Sequence, residues 1–198
     1  SALSLAEEHR ATEALLARSG LQHALLRNGW YWENYLSAVK GAKASGEFHG
    51  AAGDGVVNGA ARRDYAEAAA VVGTTPGHAG KVYELAGAPA SYAQLAEAIA
   101  EASGAEVAYV NQTEAQYADQ LAGHGLPRPV AEMLAGWDTA IAGGALESDS
   151  TDLTDLIGRP ATPPVEVFRA AWARTDEGAG RSPSGPFVVS GQRAAAIR

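Results

Sequence analysis

His23-Ala24-Leu25-Leu26-Arg27-Asn28-Gly29-Trp30-Tyr31-Trp32-Glu33-Asn34-Tyr35 holds, in one short stretch, an apolar run, a polar break and a dense aromatic cluster. Ala24-Leu25-Leu26 has the length of a buried parallel strand, and Asn28-Gly29 is a dipeptide that turns a chain sharply. Ligands of open α/β sheets bind beyond the carboxyl ends of the strands. The turn at Asn28-Gly29 is therefore the candidate site. Trp30, Tyr31, Trp32 and Tyr35 offer flat apolar faces suited to a planar ring, although aromatic residues after a strand also serve as plain core.

Working outward, residues 1–19 read as an amphipathic helix with Leu5, Ala11 or Thr12, Leu15 and Leu16 on one side, stopped by Gly20 and leading into a strand at 22–27. A helix delivering into a buried strand is half of a βαβ unit. Helical spacing continues over 31–44, and 47–61 holds two short extended pieces around a glycine-rich loop. A helix over 64–72 precedes a strand at 82–85 closed by Gly87-Ala88-Pro89. Ser91 and Gln94 match a capping box for a helix over 92–102. A strand at 107–110 and a helix from Thr113 to about Ala122 follow. Further helices are expected at 129–142, with Val130, Met133, Leu134, Trp137 and Ile141 as the apolar stripe, near 151–157, and over 163–173. Residues 1–174 form one α/β unit, and 175–198, rich in Gly, Ser, Pro and Arg, read as a flexible tail with Phe187-Val188-Val189 as a docking segment. No internal repeat is visible.

Composition narrows the function. With 198 residues, 46% of them hydrophobic, the chain can bury one sizeable core. A formal charge of -8 with only 15 Lys and Arg argues against a nucleic-acid surface, which needs clustered cations. No cysteine is present, so disulfides, thiol nucleophiles and thiolate metal sites are excluded and a cytoplasmic location is expected. No apolar run approaches the ~18 residues of a membrane helix.

Several motifs carry less than they suggest. Gly50-Ala51-Ala52-Gly53-Asp54-Gly55 has the wrong spacing for a dinucleotide fingerprint and continues as extended chain, so it reads as a turn between short strands. His9, His23, His49, His78 and His124 show no metal-ligand spacing, and no metal is expected. Asp64-Tyr65 reads as a helix start with a packing tyrosine rather than a catalytic dyad. No Gly-x-Ser-x-Gly elbow supports hydrolase chemistry.

Leu26-Arg27-Asn28-Gly29-Trp30-Tyr31, Glu33-Asn34-Tyr35, the Gly50–Gly55 loop, Arg63-Asp64-Tyr65-Ala66 and Lys81-Val82-Tyr83-Glu84-Leu85-Ala86-Gly87 occur in order and at matching spacing. Together they resemble the NmrA-like branch of the atypical short-chain dehydrogenases/reductases, and within it the NAD(P)H:quinone oxidoreductases of type 2. The resemblance spans roughly residues 1–172 and corresponds to the C-terminal half of such proteins. It implies a Rossmann-like parallel sheet with helices plus a small substrate-side lobe, and hydride transfer from NADPH (or NADH) to a small-molecule quinone. By the same resemblance, Asn28, Gly29, Trp30, Tyr31, Trp32, Glu33 and Arg62 meet the cofactor and Trp30, Tyr31, Trp32 and Tyr35 the acceptor. Leu5 and His9 stand where the wider superfamily carries its Tyr/Lys acid pair, so no protein acid of that kind is expected. A dinucleotide-binding redox sensor without turnover, or an inactive fragment, are the rival readings. An exposed sheet edge, covered by homo-oligomerisation or by pairing with the N-terminal half, is a further expectation.

Overall fold

The computed structural model describes residues 6–178, with side chains described through residue 173. Expectations for Leu5 and for the tail, including Phe187-Val188-Val189, lie outside the described residues. The first helix, α1 (Ala6–Arg18), is followed by β1 (Leu25–Asn28) and β2 (Trp30–Tyr31). A single 3-10 turn (Trp32–Tyr35) then delivers the chain into α2 (Leu36–Ser45). The middle of the chain holds β3 (Glu47–Gly50), β4 (Val56–Ala60), α3 (Arg62–Thr74), β5 (Val82–Leu85) and β6 (Pro89–Ser91). After these come α4 (Tyr92–Ser103), β7 (Ala108–Asn111), α5 (Glu114–Gly123), α6 (Arg128–Ala142), α7 (Asp152–Ile157) and α8 (Pro164–Gly178).

Three sheets result among the described residues. β1 pairs with β5 and β3 with β7, both parallel. β4 lies between β2, which runs parallel to it, and β6, which runs antiparallel. The parallel strands are joined through helices, as a mixed α/β fold requires. The strand at 89–91 had no sequence signal, because its first residue is proline. Proline is tolerated there at an edge position where its missing N–H costs nothing.

The Asn28-Gly29 dipeptide does not turn the chain back. Gly29 N–H donates to Leu85 O at 2.9 Å, extending the β1–β5 ladder by one bond, and Trp30 then pairs with Gly59 of β4. Gly29 is thus the point where one extended path leaves β5 and joins β4. A Cβ there would stand 3.0 Å from Leu85 O. Glycine lets the two backbones approach.

Two cores form. The larger gathers Trp30, Trp32, Tyr35, Val39, Phe48, Tyr92, Leu95, Ile99, Ile141 and Phe168 between α2, α4 and α8. The smaller, Tyr65, Ala68, Leu85 and Leu153, joins α3, α7 and β5. The capping box expected at the start of α4 is complete, Ser91 with Gln94, and the structure adds a second at the start of α5, Thr113 with Gln116.

The apolar side expected for the first helix is not covered. No described residue of α1 is buried, Leu15 is 63% exposed, and nearby Leu21 and Val82 are 65% and 48% exposed. The expected buried strand is likewise only half-buried, since β1 has no strand on its other edge among the described residues. On α6 the expected stripe is also shifted. Met133 is 40% exposed, and the buried line is Ala131, Ala135, Asp138 and Ile141. Small residues let α5 pack closely, and they conceal an aspartate.

Candidate functional site

The carboxyl ends of β1, β4 and β5 meet around Asn28, and the predicted residues divide there into two groups. Asn28, Tyr31, Glu33 and Arg62 reach the surface or stop half-way to it. Asn28 Nδ2 donates to the Tyr31 hydroxyl at 3.1 Å. The Arg62 guanidinium lies over the Tyr31 ring, 4.9 Å from its centroid, a cation–π contact that fixes both groups. Tyr31 is held from below by the edge of Tyr65, at 5.1 Å, and the Tyr65 hydroxyl donates to Trp30 O at 3.0 Å. Glu33 places both carboxylate oxygens on the Arg62 amide, at 3.0 and 3.1 Å, closing the first turn of α3.

Trp30, Trp32 and Tyr35 are core residues. Trp32 is 1% exposed and donates Nε1 to Thr162 O at 3.1 Å. Its ring covers Gly59, where a Cβ would come within 2.6 Å of it. No side chain could replace that glycine without moving the indole. Tyr35 is buried against Phe48 and Tyr92. Trp30 packs edge-on to Trp137 of α6, ring centroids 5.8 Å apart. As acceptor contacts, then, Trp32 and Tyr35 have no accessible ring face, and their placement supports the site from behind.

Residues with no sequence signal hold this edge together. Asn58 of β4 donates Nδ2 to Gly87 O at 3.0 Å and accepts the Ser148 amide on Oδ1 at 3.1 Å, while its backbone N–H reaches Leu146 O. One buried asparagine thus ties two loops, that after β5 and that between α6 and α7, to the strand. Gly87 runs so close to β4 that a Cβ would meet Gly59 O at 2.0 Å. Asp64, expected to start α3, does so and does more. Fully buried, it accepts from Thr162 N at 2.7 Å, Thr162 Oγ1 at 3.0 Å and Arg159 Nη2 at 2.8 Å. Burial pushes its pKa up, but these donors and the Arg159 charge outweigh burial and hold the carboxyl below its usual range. An open depression of about 500 Å³ beside it is lined by Arg63, Arg159, Thr162 and Glu166. Its guanidiniums are engaged by Asp64, Glu67 and Glu166, which marks a structural corner.

The glycine-rich loop is a turn between β3 and β4, as its spacing implies, and the protein itself occupies its amides. Ala51 N–H donates to Asp138 Oδ2 at 2.8 Å, Ala52 N–H to the Tyr109 hydroxyl at 3.2 Å, and Gly53 N–H to Asn111 Oδ1 at 3.0 Å. Only the first of the three amides meets a carboxylate; the other two meet a hydroxyl and a side-chain amide oxygen, so all three are paired within the protein.

Known proteins agree with this architecture. No protein-family model matches the chain. Quinone oxidoreductase 2 of Escherichia coli is 50% identical over 163 residues, which is 82% of this chain and 57% of that protein. The solved structure of the NADPH-dependent quinone oxidoreductase of Escherichia coli, complexed with NADPH, superposes with a TM-score of 0.81 at 47% identity, covering 87% of this chain and 61% of that one. The chain is similar over most of its own length to these quinone oxidoreductases. The Citrobacter sp. triphenylmethane reductase complexed with NADP(H) is 33% identical with a TM-score of 0.82, over 86% of this chain and 61% of its own. The chain thus spans about three-fifths of the length of the relatives it matches. Its Rossmann-like α/β class follows from the same superpositions.

Among the described residues, no helix is long and apolar enough to cross a membrane and no group of three His, Asp or Glu side chains converges on a metal position. His9, in the place of the superfamily's lysine, is exposed on α1.

Proposed function

We propose that this chain supplies the nicotinamide and acceptor side of an NADPH-dependent quinone reductase. The observation that carries the reading is the Asn28–Tyr31–Arg62 cluster at the carboxyl ends of β1 and β4, the place where an α/β sheet of this kind takes a ligand. Identity of 50% to a quinone oxidoreductase and superposition on an NADPH complex support the reaction class.

The residues present fit one end of a dinucleotide and not the other. Asn28 offers an amide group at the rim, and Arg62, held on Tyr31, offers a cation for an anionic group. Among the described residues the glycine-rich loop offers no pyrophosphate cradle, because its amides are already spent on Asp138, Tyr109 and Asn111. The phosphates must be held by polypeptide outside this chain or by a partner. Bound NADPH supplies the hydride. A quinone that accepts it becomes a hydroquinone anion, whose charge is shared over the ring and its two oxygens, so no strong protein acid is needed. Arg62 stabilises that charge, and the second proton comes from solvent.

Glu33, Trp30, Trp32 and Tyr35 serve this reading by position, Glu33 at the start of α3 and the three rings as the floor behind Asn28 and Tyr31. A protein of the relatives' length carrying this sequence should consume NADPH steadily with a simple benzoquinone, and Arg62→Ala should raise the Michaelis constant for NADPH about tenfold. NADPH binding without turnover would replace the enzyme with a redox sensor. For the 198-residue chain alone, the open edge of β1 and the exposed Leu15, Leu21 and Val82 should produce self-association. Light scattering that shows a monodisperse monomer would overturn that expectation.

A further inference from the structure

Asp138 is a buried carboxylate with no cation bonded to it among the described residues. Its Oδ1 accepts from the Tyr92 hydroxyl at 2.6 Å and its Oδ2 from Ala51 N–H at 2.8 Å. The ionisable groups that face it come from every packed element. They are Tyr35 of the 3-10 turn, Tyr92 of α4, Tyr109 of β7 and Tyr117 of α5, with Asp54 in the glycine-rich loop beyond Tyr109. Glu114 of α5 reaches the neighbouring Thr139 hydroxyl at 2.8 Å. Burial raises the pKa of all four phenols, that of Tyr109 to about 12, so they stay neutral near pH 7. Burial also pushes Asp138 up to about 6, against the bonds from Tyr92 and Ala51 that favour its charge.

We propose that Asp138 is a positioning residue that clasps α6 to the glycine-rich loop and α4, and that its protonation changes how Trp137 of α6 meets Trp30 behind the candidate site. The two residues are consecutive in α6, so whatever holds Asp138 also sets Trp137. α5 packs on α6 and is carried with it. Hydrogen-bond direction gives the coupling. With Asp138 ionised, Tyr35 donates to the Tyr92 oxygen at 3.4 Å and Tyr92 donates to Asp138. A protonated Asp138 must itself donate, and Tyr92 is its nearest acceptor. The Tyr92 hydrogen then turns to Tyr35, and the Tyr35 hydrogen turns towards Trp30. Trp30 presents only a donor: its buried Nε1 faces the Tyr35 hydroxyl oxygen without a well-aligned hydrogen bond. Two donors then face each other, and the Trp30 ring must shift against Trp137. The link to catalysis rests on the quinone-reductase reading, whereas the clasp does not.

The test is the near-ultraviolet circular dichroism of the 198-residue chain, titrated between about pH 4 and 8. The wild-type indole signal should change with a midpoint near 6. Trp137→Phe should remove most of that change, and Asp138→Asn should abolish it. Tyr92→Phe, which deletes the hydroxyl through which Asp138 reaches Tyr35 and Trp30, should remove most of the change as well. A wild-type signal that is flat across this range, an Asp138→Asn chain that titrates like wild type, or an undiminished change in Tyr92→Phe would each overturn the clasp. If Asp138→Asn does not fold, the other two variants decide alone. A flat signal leaves quinone reduction untouched, and failure of quinone turnover leaves the titration untouched.

Discussion

Asp64 and Asp138 are both buried carboxylates at helix positions, and their surroundings give them opposite characters. Asp64 sits at the corner of α3 with Arg159 and two donors from Thr162, so the folded state favours its charge. Asp138 sits on α6 among phenols, with no cation bonded to it among the described residues, so the folded state favours its neutral form. Burial alone therefore says little about what a carboxylate does. The partners decide whether it acts as a rivet or as a group poised to titrate.

The largest effect should come from breaking the riveted corner. Asp64→Ala strands the Thr162 amide and leaves Arg159 with Glu67 alone, and should cost about 3–5 kcal/mol in urea melts, a large part of a typical domain's stability. The two corners should then separate by pH. Asp64, with its depressed pKa, contributes stability that is full above the unfolded carboxylate range and lost as pH falls through the folded value. Asp138, with a folded pKa raised to about 6, works the other way. The folded state should give up as much as roughly 3 kcal/mol as pH rises from about 4 through 6, and Asp138→Asn should flatten that part of the curve. Urea melts of both proteins at the two ends of the range check the sign.

Gly50→Ala attacks the second corner from the opposite side. Its Cβ would lie 2.7 Å from the Tyr92 ring and 2.9 Å from Asp138 Oδ2, and should cost about 1–3 kcal/mol and displace the titration of Asp138. The smallest effect belongs to the rim of the first corner. Glu166→Gln removes an exposed partner of Arg63 and should change stability by no more than about 0.5 kcal/mol in the same melts.

The sequence disclosed these regions unequally. The capping box at Ser91, the helix start at Thr113, the glycine stops and the strands at 82–85 and 107–110 were legible because local chemistry dictates them. Helix ends and the strand at Pro89 were less so, since a short edge strand leaves no periodic mark. Of the residues proposed for the site, Asn28, Tyr31 and Arg62 meet at the surface, while Trp32 and Tyr35 lie buried beneath them. What distinguishes a wall from a floor is the register of β2 on β4, which no spacing rule contains. Asp64 was read as a helix start because its partners lie 95 and 98 residues away. Asp138 hid inside an apolar-looking helix between Trp137 and Thr139. Only its position on the Ala131–Ala135 face, seen once α5 packs there, marks it as buried.

Gly29 has one more implication. Asn28 belongs to the ladder with β5, whereas Tyr31 and, through α3, Arg62 are fastened to the ladder of β4. The hydrogen bond from Asn28 to Tyr31 is therefore a stitch across a seam between two sheets. Any sliding of one ladder along the other would change the length of that stitch. The candidate site therefore feels shear between the two sheets.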